Sequence, residues 1–509
     1  MTASRVPGGA ALRERAATPR RGSGRPGVAL AIMLSAQLMI ILDMTVVNIA
    51  LPHIQSGLHF SATSLSWVAN GYTLTSGGLL LLGGRAGDIL GRRRLFIAGI
   101  VVFTLASLAG GLATTSAMLL ASRAVQGVGG AMASPAVLAL IIGSFPEGKE
   151  RTKALGIYMG VITGGSSLGL VLGGVITEWL SWRWVLFINV PIGIAVVAIT
   201  PLFVRETSRQ PGHFDLTGAI TSTAGVSALV YGFIRAASNG WGDHLTLGAF
   251  GLCVVLLALF IVNEAKASQP ITPLRLFANV SRSGSFVTRL FVIAGMFGMF
   301  YFLTQFLQRV LGFSPLRAGV AFLPMTVTLF AVSRLAPRLM PRLGVKPMMI
   351  IGLLPAIGAM AWLSRVSGGS GYWTDVFGPM MLIGVGFGLL FVPLTTASLA
   401  GVPPKDSGAA SAMLNMLQLV GGSLGLAVLV AVFGTSTRNA ASHPAPGLTP
   451  FAQAQHVLAH GIGSAFLLAA ILDVAALLVI VLVIRTPRPA AGPRAAMAGT
   501  APRPQPVQD

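Results

Sequence analysis

The sequence predicts an all-α polytopic membrane protein of fourteen transmembrane helices, two six-helix halves with two further helices inserted between them. Three observations predict it. Of 509 residues, 54% are hydrophobic and only 10% are charged, with a mean hydropathy of +0.78, whereas a soluble domain carries about a quarter charged residues. The apolar residues are gathered in long runs, each sufficient to cross a bilayer as a helix with its backbone bonded internally. The cations are gathered between the runs.

The runs fall at 28–51, 63–83, 95–113, 117–143, 153–177 and 183–204, then at 216–235 and 245–264. The last group falls at 285–311, 316–336, 347–366, 374–397, 408–434 and 460–484. This divides the chain into a six-helix bundle (28–204), two inserted helices with linkers (205–284) and a second six-helix bundle (285–484). Residues 1–27 and 485–509 are rich in Arg, Pro, Ala and Gly and read as disordered tails. The first run is too long for a signal-peptide core and lacks a small-residue cleavage site after it, so it reads as a retained helix.

Orientation follows from charge. Arginine-rich turns come after the second, fourth, sixth, eighth and tenth helices, and the alternate loops are short or nearly uncharged. The positive-inside rule makes the rich side cytoplasmic. An even number of spans then puts both tails there. The net charge of +21 is therefore a topological signal. A nucleic-acid surface would have contiguous cations interleaved with aromatics, and no such patch exists. The single cysteine, Cys253, excludes a disulfide framework and a thiolate metal site.

The segment Gly83–Arg94, GGRAGDILGRRR, is the most informative of these turns. Four arginines cannot lie in hydrocarbon, its glycines permit close approach of the flanking helices, and Asp88 is its only anion. The turn Ala336–Lys346, with Arg338, Arg342 and Lys346, falls at the same place if the last six helices repeat the first six. Repeated halves build a site near the midplane and rock about it.

Two ionisable residues lie inside apolar helices, Asp43 in the first and Arg123 in the fourth. Such a charge costs a few kcal/mol even on the lenient insertion scale, so a function is the first expectation. At 1.5 Å rise per residue, Asp43 lies roughly 13 Å below Pro52 and Arg123 roughly 10 Å below Ser116. The two are at similar depth and can pair across one cavity. An acid beside a guanidinium stays ionised; separated from it in an apolar site, it takes up a proton. A static pair that only fixes packing is the other reading.

Asp473, mid-run in the last helix, has no cation near it in sequence and reads as neutral, packed or cavity-lining. Tyr72, Gln126, Asn415 and Gln418 offer polar contacts to a mostly apolar cavity, or plain helix–helix hydrogen bonds. Arg289 and Glu264 lie near helix ends, where long side chains snorkel to the interface. Arg183 and Glu178 read as rim charges. In the fifth helix, Gly156, Gly160, Gly164, Gly165, Gly169, Gly173 and Gly174 put small surfaces on one face and predict close helix contact.

Several of these segments resemble the major facilitator superfamily, and within it the fourteen-helix drug:proton antiporters. Gly84, Asp88, Gly91, Arg92 and Arg93 match the family's loop 2–3 signature, although Ile89 stands where a basic residue is usual. LDMTVVNIALP at Leu42–Pro52 and LLASRAVQGVGGA at Leu119–Ala131 resemble the signatures of the first and fourth helices. GIYMGVITGGSSLGLVLGG at Gly156–Gly174 resembles the antiporter signature, with Leu170 where proline is usual. WLSWRWVLFINVPIG at Trp179–Gly193 and GFSPLRAG at Gly312–Gly319 also fit this branch.

The resemblance spans about residues 28–486. It implies proton coupling at Asp43 and Arg123 and a conformational latch in Gly84, Asp88, Gly91, Arg92 and Arg93. It also makes Gly160, Gly164, Gly165, Gly169, Gly173 and Gly174 a tight interface between halves that limits proton leak.

An enzyme is disfavoured by the absence of HExxH and of any metal-ligand cluster, and an ATP-driven pump by the absence of GxxxxGK[ST]. The expectation is a monomeric transporter of the bacterial inner membrane, without cofactor. It exports drugs, antibiotics or similar amphipathic compounds against protons. Facilitated or proton-coupled uptake of a small solute on the same fold is the alternative.

Overall fold

The computed structural model describes residues 26–146, 148–206, 214–267, 274–403 and 407–485. Apart from Pro26, Gly27 and Arg485, the two tails read as disordered lie outside these residues. Among the described residues there are helices and turns, with no strand.

The first half holds α1 (Pro26–Leu58), α2 (Ser66–Leu90), α3 (Arg92–Gly111), α4 (Ser116–Ser144), α5 (Lys149–Trp179), the short α6 (Trp184–Phe187) and α7 (Asn189–Phe203). A hairpin of α8 (Leu216–Asn239) and α9 (His244–Lys266) follows. The second half holds α10 (Val280–Gln305), α11 (Pro315–Ala321), α12 (Leu323–Leu343), α13 (Val345–Leu363), α14 (Phe377–Leu399), α15 (Ser407–Ser442) and α16 (Pro450–Leu482). Thirteen helical stretches among the described residues are long and apolar enough to span a membrane. The fourteenth expected span, α2, has the length (25 residues) but not the apolarity. Its Ser66, Asn70, Tyr72, Thr73 and Ser76 are buried against protein rather than lipid, so it has no need to be apolar all round.

The helices run further than the apolar runs foretell. Pro52 lies inside α1, which continues to Leu58 with Ile54 and Leu58 buried. A proline removes one backbone bond but not the packing beyond it. The basic turns are also shorter than expected. Gly83–Leu90 is helical and Arg92 begins α3, so Gly91 alone, at φ 107°, makes the turn. In the second half Arg338 and Arg342 are on α12, and Gly344, at φ 85°, makes the matching turn. Both positions require the left-handed region that glycine enters without strain.

α1 lies against α5 and α7, α4 lies between α2 and α3, α10 packs on α15 and α16, and α14 on α12 and α13. α8 lies along the seam between α2 and α15. The halves also meet where α5 crosses α11. Glycine brings backbones together inside the first half. A Cβ on Gly129 would stand 2.6 Å from the Phe103 nitrogen, and one on Gly99 2.8 Å from the Ala133 nitrogen. Gly83 abuts the Ala131 carbonyl, whereas Gly84 has only Pro135 at 3.8 Å. Close approach at that helix end therefore belongs to Gly83.

Gly129→Ala forces α3 and α4 apart. It should cost about 1–3 kcal/mol, read as earlier thermal unfolding in detergent. Gly160→Ala, with nothing within 4 Å of the added carbon, should leave stability unchanged or raise it by up to about 1 kcal/mol.

Candidate functional site

Asp43 and Arg123 meet. Arg123 Nη1 donates to Asp43 Oδ2 at 2.5 Å, and both side chains are shielded from solvent, at 1% and 2% exposure. Gln126 Nε2 and Asn189 Nδ2 donate to Asp43 Oδ1 at 2.7 Å and 2.9 Å. The guanidinium also donates to the Val68 carbonyl at 3.0 Å and to Gln126 Oε1 at 2.6 Å. Ser107 Oγ accepts from Gln126 at 2.8 Å. Arg123 lies over the Tyr72 ring, 4.7 Å from its centroid.

Five helices thus converge on one carboxylate: α1, α2, α3, α4 and α7. The spacing of Arg123 and Gln126, one turn apart on α4, puts both on the face toward α1. Charges taken out of water need such a complete set of partners, since an unsatisfied buried ion costs several kcal/mol.

Asn189 and Ser107 are members of this site that sequence reasoning missed. Both are neutral, and each stands singly in an apolar run. Asn189 follows the tryptophan-rich segment Trp179–Trp184 at the start of α7, its one mark in the sequence.

Beside the cluster lies a cavity of about 240 Å³ between the halves. Met44, Asn48, Tyr72, Phe297, Phe300 and Gln418 are among its lining residues. Its walls are mostly apolar, with a few amides and hydroxyls, and Arg123 reaches it from the buried cluster. Tyr72 and Gln418 therefore reach the cavity, while Gln126 is spent on the Asp43 cluster. Asn415 is exposed on α15 and does not line it.

Asp473 is fully buried on α16 near Gly295 of α10, away from the cavity lining, and neither carboxylate oxygen has a hydrogen bond. Burial among helices of the second half overrides the cavity-lining option.

Arg289 and Glu264 do not snorkel. Arg289 is 8% exposed and donates to Thr395 Oγ1 and Gln418 Oε1 at 3.4 Å and 3.3 Å. Glu264 is 3% exposed and packs over Gly218. Both point into helix contacts instead of back along their stems, because a polar partner or a glycine gap lies on that side.

At the Gly91 turn, Arg92 Nε and Nη2 donate to Asp88 Oδ1 at 3.0 Å and 2.9 Å. The backbone N–H groups of Arg93 and Arg94, at the open start of α3, donate to the Glu206 carboxylate at 2.9 Å and 3.2 Å. Arg93 Nη1 reaches the Val204 carbonyl at 3.2 Å. An anion on free helix N–H groups is stabilised by both hydrogen bonds and dipole. Glu206 is a further residue absent from the sequence reading. A Cβ on Gly91 would lie 2.8 Å from its carboxyl carbon. These bonds tie α2 and α3 to the end of α7, all within the first half.

The halves join at the opposite end. Gln308 and Arg309, in a π-helical turn (Phe306–Val310) that continues α10, donate to the carbonyls of Ile49 and Pro52 at 2.8 Å and 2.7 Å. Glu178 accepts from the Leu316 N–H at 2.9 Å, at the start of α11. It is a tie between halves and not just a rim charge.

The α5 glycines divide accordingly. Gly165 meets Leu38, Gly169 meets Thr45, Gly173 meets the Val46 backbone, and Gly174 meets Leu316. Gly156, Gly160 and Gly164 have nothing within 4 Å of an added Cβ. The expected continuous glycine interface is thus closed over one half of α5 and open over the other. Of these glycines, Gly174 touches the second half, and Gly165, Gly169 and Gly173 pack on α1.

Arg123→Leu leaves Asp43 buried without its counter-charge and should lower stability by about 3–5 kcal/mol. Asp43→Asn in the same chain should restore a substantial part, as measured by thermal unfolding of the purified proteins.

The sequence model described as Major Facilitator Superfamily matches residues 33–426. The chain is 43% identical over 417 residues to a puromycin resistance protein of Streptomyces alboniger, covering 81% of each. It is 39% identical to a cephamycin export protein of Amycolatopsis lactamdurans, covering 80% of this chain and 85% of that one. It is 33% identical to a lincomycin resistance protein of Streptomyces lincolnensis, covering 83% and 87%. Among solved structures, a bacterial homologue of the human lysosomal transporter Spinster shares the fold. Its TM-score is 0.64 at 18% identity, covering 91% of this chain and 99% of that one. With its helical bundle halves and a match across most of its length, the chain is a multi-pass membrane protein that belongs to the Major Facilitator Superfamily.

Proposed function

We propose that this chain exports antibiotic-like amphipathic compounds from a bacterial cell in exchange for protons. The observation that carries the reading is the buried Asp43–Arg123 pair, hydrogen-bonded by Gln126 and Asn189 at the edge of a largely apolar cavity. The names of its relatives, concerned with puromycin, cephamycin and lincomycin, supply the substrate class. No cofactor is called for, since a proton gradient provides the energy.

The mechanism follows from the pair. Asp43 is ionised while Arg123 holds it. When the halves rock, the guanidinium shifts, and the carboxylate accepts a proton at Oδ2 because an isolated charge in an apolar site is costly. Return of Arg123 expels the proton. Substrate in the adjoining cavity, near Tyr72 and Gln418, competes for the same space, so proton and compound alternate. In this reading residues 28–204 and 285–484 are the rocking halves, and 205–284 an inserted pair. The Gly91 turn faces the cytoplasm with both tails, and the protein works as a monomer. Open glycines on one half of α5 and closed contacts near Arg309 then correspond to a state open inward. Asp88, Arg92 and Arg93 brace the first half as one body through Gly84–Gly91, so that it moves as a unit.

Expression in an efflux-deficient host should raise tolerance to puromycin and to chemically unrelated amphipathic antibiotics. Asp43→Asn should abolish that gain with membrane insertion intact. Full proton-driven export by Asp43→Asn would sink the coupling role. Accumulation of solute in cells, without extrusion from them, would turn the reading to uptake. Asp88→Asn should insert normally and lose most transport.

A further inference from the structure

A second cavity, outside the central one, lies among the helix ends opposite the Gly91 turn. Its inner part, about 160 Å³, is lined by Gln55, Tyr301, Phe302, Gln305, Arg309 and Phe433, among others. An outer cleft of about 470 Å³ shares Ala62, Phe433 and Leu458 with it and includes the surface residues Thr63 and Ser238. The two are therefore continuous and open to that face.

Tyr301 lines both this antechamber and the central cavity, so its side chain is the partition between them. It is 3% exposed, its hydroxyl donates to the Ala62 carbonyl at 3.4 Å, and its ring meets Phe302 edge to face. That hydroxyl bond joins α10 to the turn after α1, across the two halves. Separation of the halves at this end breaks it.

The antechamber carries a built polar feature. Gln305 is 7% exposed, yet its amide nitrogen has no hydrogen-bond partner. A buried N–H without an acceptor costs about 1–3 kcal/mol, a cost that a visiting acceptor removes. Phe302 and Phe433, with centroids 5.2 Å apart, offer ring faces beside it. The Arg309 guanidinium is held at its edge on the Pro52 carbonyl and Gln55 Oε1.

We propose that the antechamber is a second substrate site, a release site for a compound that presents a hydrogen-bond acceptor beside an apolar ring, with Tyr301 as the door to it. The proposal rests on the export reading. A compound leaving the central cavity passes Tyr301 as its bond to Ala62 breaks. It then exchanges contacts with Phe297 and Phe300 for Phe302, Phe433 and the Gln305 amide. Sites on both sides of a door let the compound leave in two smaller steps, each against weaker binding than one deep site would hold.

The test uses the full chain with Cys253→Ser, which removes the only cysteine. Gln305→Cys, Phe433→Cys and Asn48→Cys are labelled with a membrane-impermeant maleimide in intact cells and in inverted vesicles. The expected result is that positions 305 and 433 react in intact cells and position 48 in inverted vesicles. Puromycin should slow labelling at 305 and 433 severalfold. Adding Tyr301→Ala should make position 48 reactive in intact cells. Gln305→Leu should lower puromycin efflux about two- to tenfold, the worth of one hydrogen bond, while puromycin still protects position 48. Labelling of 305 and 433 only from the side that reaches 48 overturns the antechamber. Exported puromycin that leaves their labelling rates unchanged overturns the release site. Failure of the Cys253→Ser chain to export puromycin at all refutes the export reading, and the release site falls with it.

Discussion

The arrangement of the first half depends on satisfying the hydrogen bonds of one carboxylate where water cannot reach it. Asp43 is 1% exposed in the middle of a mostly apolar helix. Its two oxygens take three hydrogen bonds, from Arg123, Gln126 and Asn189. To deliver them, α4 must present two residues one turn apart, α7 must begin at the right depth, and α2 must offer the Val68 carbonyl to the guanidinium. Loss of any donor leaves a buried lone pair whose desolvation nothing offsets. The helix packing around Asp43 is thus fixed by electrostatics to a tolerance that apolar contacts alone, which are non-directional, do not impose.

The second half is organised differently. Its core of Leu, Phe, Met and Ala side chains around α10, α13, α14 and α16 is mostly apolar, and its buried charged residues Arg282, Arg289 and Asp473 form no ion pair with one another, Arg282 donating instead to the Leu276 and Ala400 carbonyls. Arg289 leans toward the cavity through Gln418, and Asp473 is enclosed near Gly295. Among the described residues the polar burden is asymmetric, with the buried Asp43–Arg123 network in the first half, while the ties between halves comprise the rim contacts of Arg309 and Glu178, the Tyr301–Ala62 bond and the buried Thr73–Ser423 hydroxyl pair.

How much of this was legible in the sequence follows from how strongly each residue type violates its surroundings. Fourteen apolar runs and their basic turns are a loud signal, because neither lipid nor water tolerates the alternative. Asp43 and Arg123 were readable for the same reason, and their matching depth followed from helix rise alone. Asn189 and Ser107 were not, since a neutral polar side chain in an apolar helix is common and only three-dimensional proximity gives it a role. Glu206 was hidden by distance along the chain, 113 residues from the Arg93 N–H it meets. Helix ends were under-read wherever the chain is polar yet buried, as in α2, or carries arginines on a helix, as at Arg338 and Arg342. The glycines of α5 showed a small face but not which part of it would be covered.

That uncovered part has a dynamic consequence. Gly156, Gly160 and Gly164 present bare backbone to open space, and a glycine has no rotamers to freeze. A surface of long side chains would lose up to about 2 kcal/mol of conformational entropy per residue each time a partner closed upon it. At these three positions α5 loses none. The face can be covered and uncovered repeatedly with little thermodynamic bias toward either condition, leaving the direction of each stroke to the species bound inside.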